Sequence, residues 1–425
     1  MTALLVDLLT AIGVLSCGFV GVLLLADVYL ILVHLAWGAR RLAQERAWLA
    51  QSPSLPPPLP RVCVQIPVFN EAALVGPAID AACRLDWPRE RLEIMILDDS
   101  TDETSAIVAR RVAGWHATGL AIRHVVRGHR RDFKAGALSA GLELTDASYL
   151  AIFDVDYQPA PSFLRRTMAA LAAVPDAAFV QARLDHRNRD RNLLTRAQAL
   201  ELDTFIAYEQ AARGWAGVPM TFNGTCGVWR RQAIVEAGGW SGRSLVEDQD
   251  LSFRAFARGW RCLNLVSLPV EGELPETFDV LARQRQRWGT GTAQAFRDLP
   301  WALLKRLAWH QAAAFVLLAT FHASAQAALV TALLVAIAGG LVEAGVGHAT
   351  GTALLAVVAA IVVLKSIGAL LAARLLDRPL GIGFAVDVAG MWLMEAALLP
   401  IVAKALVTGF ISRNVPFLRT PKKGF

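Results

Sequence analysis

A chain of 425 residues with 55% hydrophobic content, a mean hydropathy of +0.42 and 18% charged residues is too apolar for an ordinary soluble enzyme. Its net charge of +6 and pI near 9.3 do not single out nucleic acid as a partner, because Lys and Arg gather beside apolar segments as well as in the middle of the chain, where a membrane surface accounts for them. The five cysteines form no CxxC pair and the eight histidines no HExxH cluster, which argues against structural zinc, points to a reducing compartment and leaves oxygen ligands for any metal.

From Leu4 to Trp37 the sequence is almost continuously apolar, longer than the roughly 20 residues that cross a hydrocarbon core. It lacks a cleavage pattern and reads as an uncleaved anchor over 1–38. Asp27 lies inside it, where an isolated carboxylate costs about 2.5–3.5 kcal/mol on insertion scales, so it is expected to face protein or lie near an end. Arg40, Arg41 and Arg46 follow, and the positive-inside rule places the next domain in the cytoplasm. Five prolines between Ser52 and Pro60 stiffen a linker, assigned to 39–60.

Over 61–300, short apolar runs at Val62–Pro67, Leu92–Leu97, Ala121–Val126, Tyr149–Phe153 and Ala177–Arg183 read as strands. Helical patterns separate the first four, which predicts an α/β domain with parallel βαβ units, whose ligands bind beyond the carboxyl ends of the strands. Strand one ends in Phe69-Asn70-Glu71 and strand two in Asp98-Asp99-Ser100. Adjacent carboxylates there need a cation or hydrogen-bond donors, or else they cap the following helices. Lys134-Ala135-Gly136 opens a helix after a basic run, a suitable anion site. Asp154-Val155-Asp156 ends strand four, and alternation along an extended strand would turn both carboxylates toward one divalent cation.

Leu193–Arg213 has the pattern of an amphipathic helix. Phe222-Asn223-Gly224-Thr225 is a small-residue turn where backbone can approach a ligand, and its glycosylation sequon is discounted on the cytoplasmic side. Glu247, Asp248 and Asp250 precede a helix; they either complement its dipole or supply a general base, and spacing does not say which. Gln284-Arg285-Gln286-Arg287-Trp288 offers planar cationic forks, amides and a flat aromatic face, suited to an anionic leaving group and a sugar, although Arg and Trp also mark membrane interfaces. Over 301–425, His310–Phe321 reads as an interfacial helix, and Ala323–Val342, Thr352–Ala373 and Phe384–Phe410 as spans. Glu395 and Lys404 within the last suggest a polar pathway or a segment that leaves the membrane, before a basic tail expected in the cytoplasm.

Taken in order, DDS, KAG, DVD, FNGTCG, VEDQD and QRQRW resemble the membrane-integrated glycosyltransferases of family 2, the cellulose, hyaluronan and mannan synthases. The wording QIPVFNE, LDDSTDET, KAGALSAGL and ELPETF is similar to the plant cellulose-synthase-like mannan and glucan synthases. The resemblance implies an α/β GT-A nucleotide-sugar domain with a mixed, mostly parallel sheet, joined to an α-helical transmembrane region of a plasma (inner) membrane. It implies inverting, processive hexosyl transfer to the non-reducing end of a β-glycan, coupled to translocation. Phe69, Glu71 and Asp99 would hold the nucleoside, Lys134, Asp154, Gln284 and Arg287 the diphosphate, and Asp156 with Asp154 a Mg2+ or Mn2+ ion. Asp248, beside Glu247, would be the base, with Trp288 and the segment Phe222, Asn223, Gly224 and Thr225 at the acceptor. The donor would be UDP-glucose or GDP-mannose, with UDP-N-acetylglucosamine also compatible, and the acceptor a glycan or glycolipid at the membrane lipid surface, with no nucleic acid. Single-sugar transfer to a lipid such as ceramide, and nucleotide-sugar binding without turnover, are the alternatives. Val246 stands where the family usually has Thr, and Asn223 where bacterial cellulose synthases have Cys.

Overall fold

The computed structural model describes residues 2–51, 55, 58–299, 301–316, 337, 344–412 and 415. Helix α1, Thr2–Ala50, runs well past the apolar stretch, because Ala-Arg-Arg-Leu-Ala-Gln-Glu-Arg-Ala-Trp-Leu-Ala is built of strong helix formers. The expected break at residue 38 is therefore absent, and the non-helical connection begins at Gln51. Much of the Pro-rich run, the expected span Ala323–Val342 and almost all of the basic tail lie outside the described residues, and the expected interfacial helix is described, as helix, only to residue 316.

The middle domain follows as β1 Val62–Val68, α2 Ala72–Cys83, β2 Leu92–Asp98, α3 Thr104–His116, β3 Ala121–Val126, α4 Phe133–Glu143, β4 Tyr149–Ile152, α5 Phe163–Ala173 and β5 Ala177–His186. Next come α6 Leu193–Asp203, a π-helical turn Thr204–Gln210, α7 Ala211–Ala216, β6 Gly227–Arg230, α8 Arg231–Glu236, α9 Glu247–Phe256, β7 Arg261–Gly272 and α10 Phe278–Arg297. One seven-stranded sheet has the order β3-β2-β1-β4-β6-β5-β7. All neighbours are parallel except β6, which runs against both β4 and β5. The strands are apolar nearly throughout because helices cover both faces. One face packs Val64, Ile66 and Ile79 with Phe163, and the other packs Met95 and Leu138 with Trp229 and Phe253. Val68 pairs with Asp98 and Gln65 with Ile152, so β1, β2 and β4 end on one edge.

Two long helices complete the described chain, α11 Ala344–Leu375 and α12 Ile382–Ile411. With α1 they are three helices long and apolar enough to cross a membrane, over Thr10–Ala50, Gly351–Leu375 and Ile382–Ile411. They turn large apolar side chains such as Leu15, Leu32, Leu355 and Leu393 outward, as lipid-facing helices do. Asp27 faces protein: Lys365 Nζ of α11 lies 3.3 Å from its Oδ1. α12 packs along α10, where Gly289 meets Val402 and Ala405. Arg378, in the α11–α12 connection, reaches Asp185 at 3.1 Å and Asp203 at 3.3 Å, tying the long helices to the end of β5.

Candidate active site

The strand ends open into a cleft of about 740 Å³, within the usual range for small-molecule sites. At the β1–β2 end, Asn70 adopts a left-handed backbone with φ +54 and exchanges hydrogen bonds with Ser100 and Thr101, joining the two strand ends. Asp98 points into the domain, away from the cleft. Burial alone would raise its carboxyl, yet hydrogen bonds from His124, Ser100 and Ser105 outweigh that effect and hold it at about 2. Asp99 does line the cleft, with both oxygens occupied by the Arg127 guanidinium. Arg130 stacks 3.4 Å from the centre of the Phe69 ring, with Glu71 on the same wall.

Farther in, Lys134 on the first turn of α4 donates to Asp154 Oδ1 at 2.6 Å and to the carbonyl of Gly224 at 2.9 Å, with Glu247 at 3.7 Å. Burial by itself would lower the lysine, but the carboxylates of Asp154 and Glu247 prevail and raise it, so it stays charged. Asp154 and Asp156 do not lie on an extended strand. β4 stops at Ile152, and the pair sits in a turn closed by Tyr157 N–H donating to Asp154 O at 3.0 Å. Both carboxylates still line the cleft. No group of three or more His, Cys, Asp or Glu converges among the described residues, so a cation here would take its remaining ligands from phosphate or water.

The loop 222–225 is fixed by side chains rather than by a strand partner. Thr225 Oγ accepts from Asp154 N at 2.8 Å, Asn223 N donates to Gln181 at 2.8 Å, and Phe222 N donates to Ser252 Oγ at 2.9 Å. Phe222 does not reach the cleft. Its ring is 1% exposed and packs edge-on against Phe179 and Trp229, so the core, and no sugar, explains it. Asn223, Gly224 and Thr225 do line the cleft.

Spacing left three acidic residues open at the start of α9, and packing separates them. Asp250 is fully buried and held by Arg243 and Arg254 at 2.7–3.0 Å, away from the cleft. Glu247 and Asp248 face the cleft. Burial, reinforced by Glu247, pushes Asp248 up to about 7 against the pull of Lys134 and Arg287. α10 secures this turn: Ser244 Oγ donates to Gly291 O at 2.8 Å, Thr292 Oγ to Gln249 at 2.9 Å, and Gln294 accepts from Leu245 N at 3.1 Å.

Helical spacing brings Gln284, Arg287 and Trp288 to the cleft together. Arg285, which motif reading left without a role, pairs through both η nitrogens with Glu201 and lies 4.7 Å from the centre of the Trp288 ring. His186 also lines the cleft and was passed over, since a lone histidine at a strand end carries no motif. Burial holds its imidazole neutral, at about 3. Arg127 and Arg130 belong to the basic run before the lysine helix, and their short spacing to that helix is the available signal.

Residues 63–238 match the family model Glycosyl transferase family 2. The match spans less than half of the chain. Over 244 residues it is 46% identical to glucomannan 4-beta-mannosyltransferase 2 of Arabidopsis thaliana, a match covering 56% of this chain and 46% of that protein. Glucomannan 4-beta-mannosyltransferase 9 of the same plant is 42% identical over 249 residues, 58% of this chain and 47% of that protein. The chain thus matches about half the length of these curated relatives. Among solved structures, the mannosyltransferase PcManGT from Pyrobaculum calidifontis, in complex with GDP-Man and Mn2+, superposes with a TM-score of 0.58 at 21% identity, covering 92% of this chain and 99% of that one. That likeness establishes the GT-A fold. The family 2 match includes β1 to β6 and stops before α9 and α10, which carry Asp248 and the Gln284–Trp288 cluster.

Proposed function

We propose that this protein transfers a hexosyl unit, mannose in the first instance, from a nucleotide sugar to the non-reducing end of a β-glycan at a membrane surface, with inversion at the anomeric carbon. The observation that carries this reading is the gathering in one cleft of the carboxylates Glu247 and Asp248 with the cations Lys134 and Arg287. A base whose protonation balances near neutral pH suits proton removal from a hydroxyl. Fixed positive charge suits a departing diphosphate.

In this reading Asp248 accepts the acceptor hydroxyl proton as that oxygen attacks the anomeric carbon. The bond from that carbon to the phosphate oxygen breaks, and the nucleoside diphosphate departs on the opposite face. Lys134, Gln284 and Arg287 receive its charge, while Phe69, Glu71 and Asp99 lie at the base end. Asp156, with Asp154, would hold Mg2+ or Mn2+, which neutralises diphosphate oxygens when bound. Trp288 offers a flat face to the acceptor sugar, beside Asn223, Gly224 and Thr225. The donor is GDP-mannose, a choice supported by the names of the plant relatives and by the ligand of the archaeal neighbour. Repeated transfer with passage of the product between the spans, and a cytoplasmic catalytic face, belong to the same proposal.

Membranes containing the full chain, supplied in turn with GDP-mannose, UDP-glucose and UDP-N-acetylglucosamine, test it by nucleotide release and product sizing. The expected result is release from GDP-mannose that requires a divalent cation, with a ladder of products cut by an endo-β-mannanase. Release from a UDP sugar alone overturns the donor, and a single mannose on lipid overturns chain extension. Absence of release from every donor overturns the transferase reading.

A further inference from the structure

The helix that passes beneath the cleft is interrupted by a π-helical turn, Thr204–Gln210, between α6 and α7. A π turn is less favourable than continued α-helix and recurs at functional positions. Here it joins two sets of contacts.

One set faces the long helices. Tyr208 donates its hydroxyl to Asp27 O at 3.1 Å, and Gly368 of α11 gives its ring room, since a Cβ there would come within 2.7 Å of it. Glu209 pairs with Arg213 and lies 3.6 Å from Lys365 Nζ, which also meets Asp27. Asp27 and Glu209 are both buried, so this cluster fixes geometry strongly: removing one charge would leave another without compensation.

The next residue faces the cleft loop. Gln210 is fully buried, and its amide grips the loop in both directions, donating to Thr221 O at 2.8 Å, Thr221 Oγ at 3.1 Å and Asn223 Oδ1 at 3.2 Å, and accepting from Thr221 N at 3.1 Å. Beyond Asn223 comes Gly224, whose carbonyl holds Lys134 and on which a Cβ would lie 2.9 Å from Asp248 Oδ2.

We propose that Gln210 is a positioning residue for the acceptor side of the site, and that the Asp27–Lys365–Glu209 cluster sets its place from the membrane helices. Asp27 and Lys365, charges within the spans, then act with Glu209 as a strut. The inference rests on the transferase reading, deepening it by naming what holds the acceptor loop.

The test uses the full chain in membranes, GDP-mannose as donor and a β-linked mannooligosaccharide as acceptor. Gln210→Leu removes the four hydrogen bonds at similar volume. It should raise the acceptor KM and lower kcat by about tenfold or more, as misplacement of a reacting group does, with the donor KM within about twofold. Lys365→Met should shift the same parameters in the same direction, Lys365→Arg should restore them, and Lys365→Met should add nothing in the Gln210→Leu background. An acceptor KM unchanged in Gln210→Leu, or a donor KM raised in parallel, overturns the inference. If Gln210→Leu fails to fold, Lys365→Met alone decides on the same criteria. Wild-type protein inactive with every nucleotide sugar would instead overturn the transferase reading.

Discussion

Gly224 lies against Asp248 so closely that a Cβ on the glycine would sit 2.9 Å from the carboxylate Oδ2 and 3.3 Å from Lys134 Nζ. Its φ of +77 is one that L-residues resist, at a cost of about 1–3 kcal/mol. Gly224→Ala should therefore cut transfer by about 100-fold through displacement of the two groups, and lower the unfolding midpoint by roughly 2–4 °C for each kcal/mol of that strain. Initial rates with a thermal melt check this. A rate within about threefold of wild type would mean the close approach is not used.

The elevated Asp248 carboxyl predicts a pH profile. The folded value of about 7 lies above the ordinary 3.8, so the group is protonated, and useless as a base, below neutrality. Rate should rise with pH through about 7 and level off above it. Glu247→Gln removes the adjacent negative charge and should move the rise to lower pH. A profile flat from pH 5 to pH 8, as a range on the order of one unit or more either side of neutrality, would contradict the assignment.

Arg285 holds Trp288 from behind, and Glu201 fixes that arginine. Arg285→Met leaves Glu201 beside Glu395 of α12 without its fork and uncovers the indole. The acceptor KM should rise about tenfold with the donor KM unchanged, and Arg285→Lys should not rescue it, because an ammonium cannot pair in bidentate fashion. Steady-state kinetics varying each substrate in turn separate these outcomes.

Asp98 is one of the carboxylates expected to contribute to acid stability. Its folded value of about 2 is below the ordinary 3.8, so its contribution is present above that ordinary value and is lost as pH falls from about 4 toward 2. Asp98→Asn should lower the unfolding midpoint by about 4 °C or more at pH 7, with the gap closing toward pH 2–3 on the order of that window. A gap that stays constant with pH would show that its worth is packing.

The sheet was legible where burial on both faces leaves continuous apolar runs, as in Val62–Val68 and Leu92–Asp98. Most candidate side chains converge on the cleft because motifs at strand ends inherit their position from the sheet. Four things were not legible. Strand length decides whether two alternating carboxylates share a face, and β4 ends too early for that rule to apply to Asp154 and Asp156. The choice between Asp248 and Asp250 depends on Arg254, whose i,i+4 spacing from Asp250 was the available signal, and on Arg243 from the preceding loop, which no local pattern links to either. The π turn leaves the apolar spacing of Leu193–Arg213 looking like one helix, and Asp27 finds its partner Lys365 across nearly the whole chain.

The central claim is that Asp248 is the base of a sugar transfer carried out in this cleft. Replacing it with Asn keeps shape and removes the charge, so the decisive measurement pairs GDP-mannose binding with transfer to a β-linked mannooligosaccharide in wild-type and Asp248→Asn membranes. Binding should stay within about threefold while transfer falls by about 100-fold to 10,000-fold. Transfer by Asp248→Asn at close to the wild-type rate would contradict it.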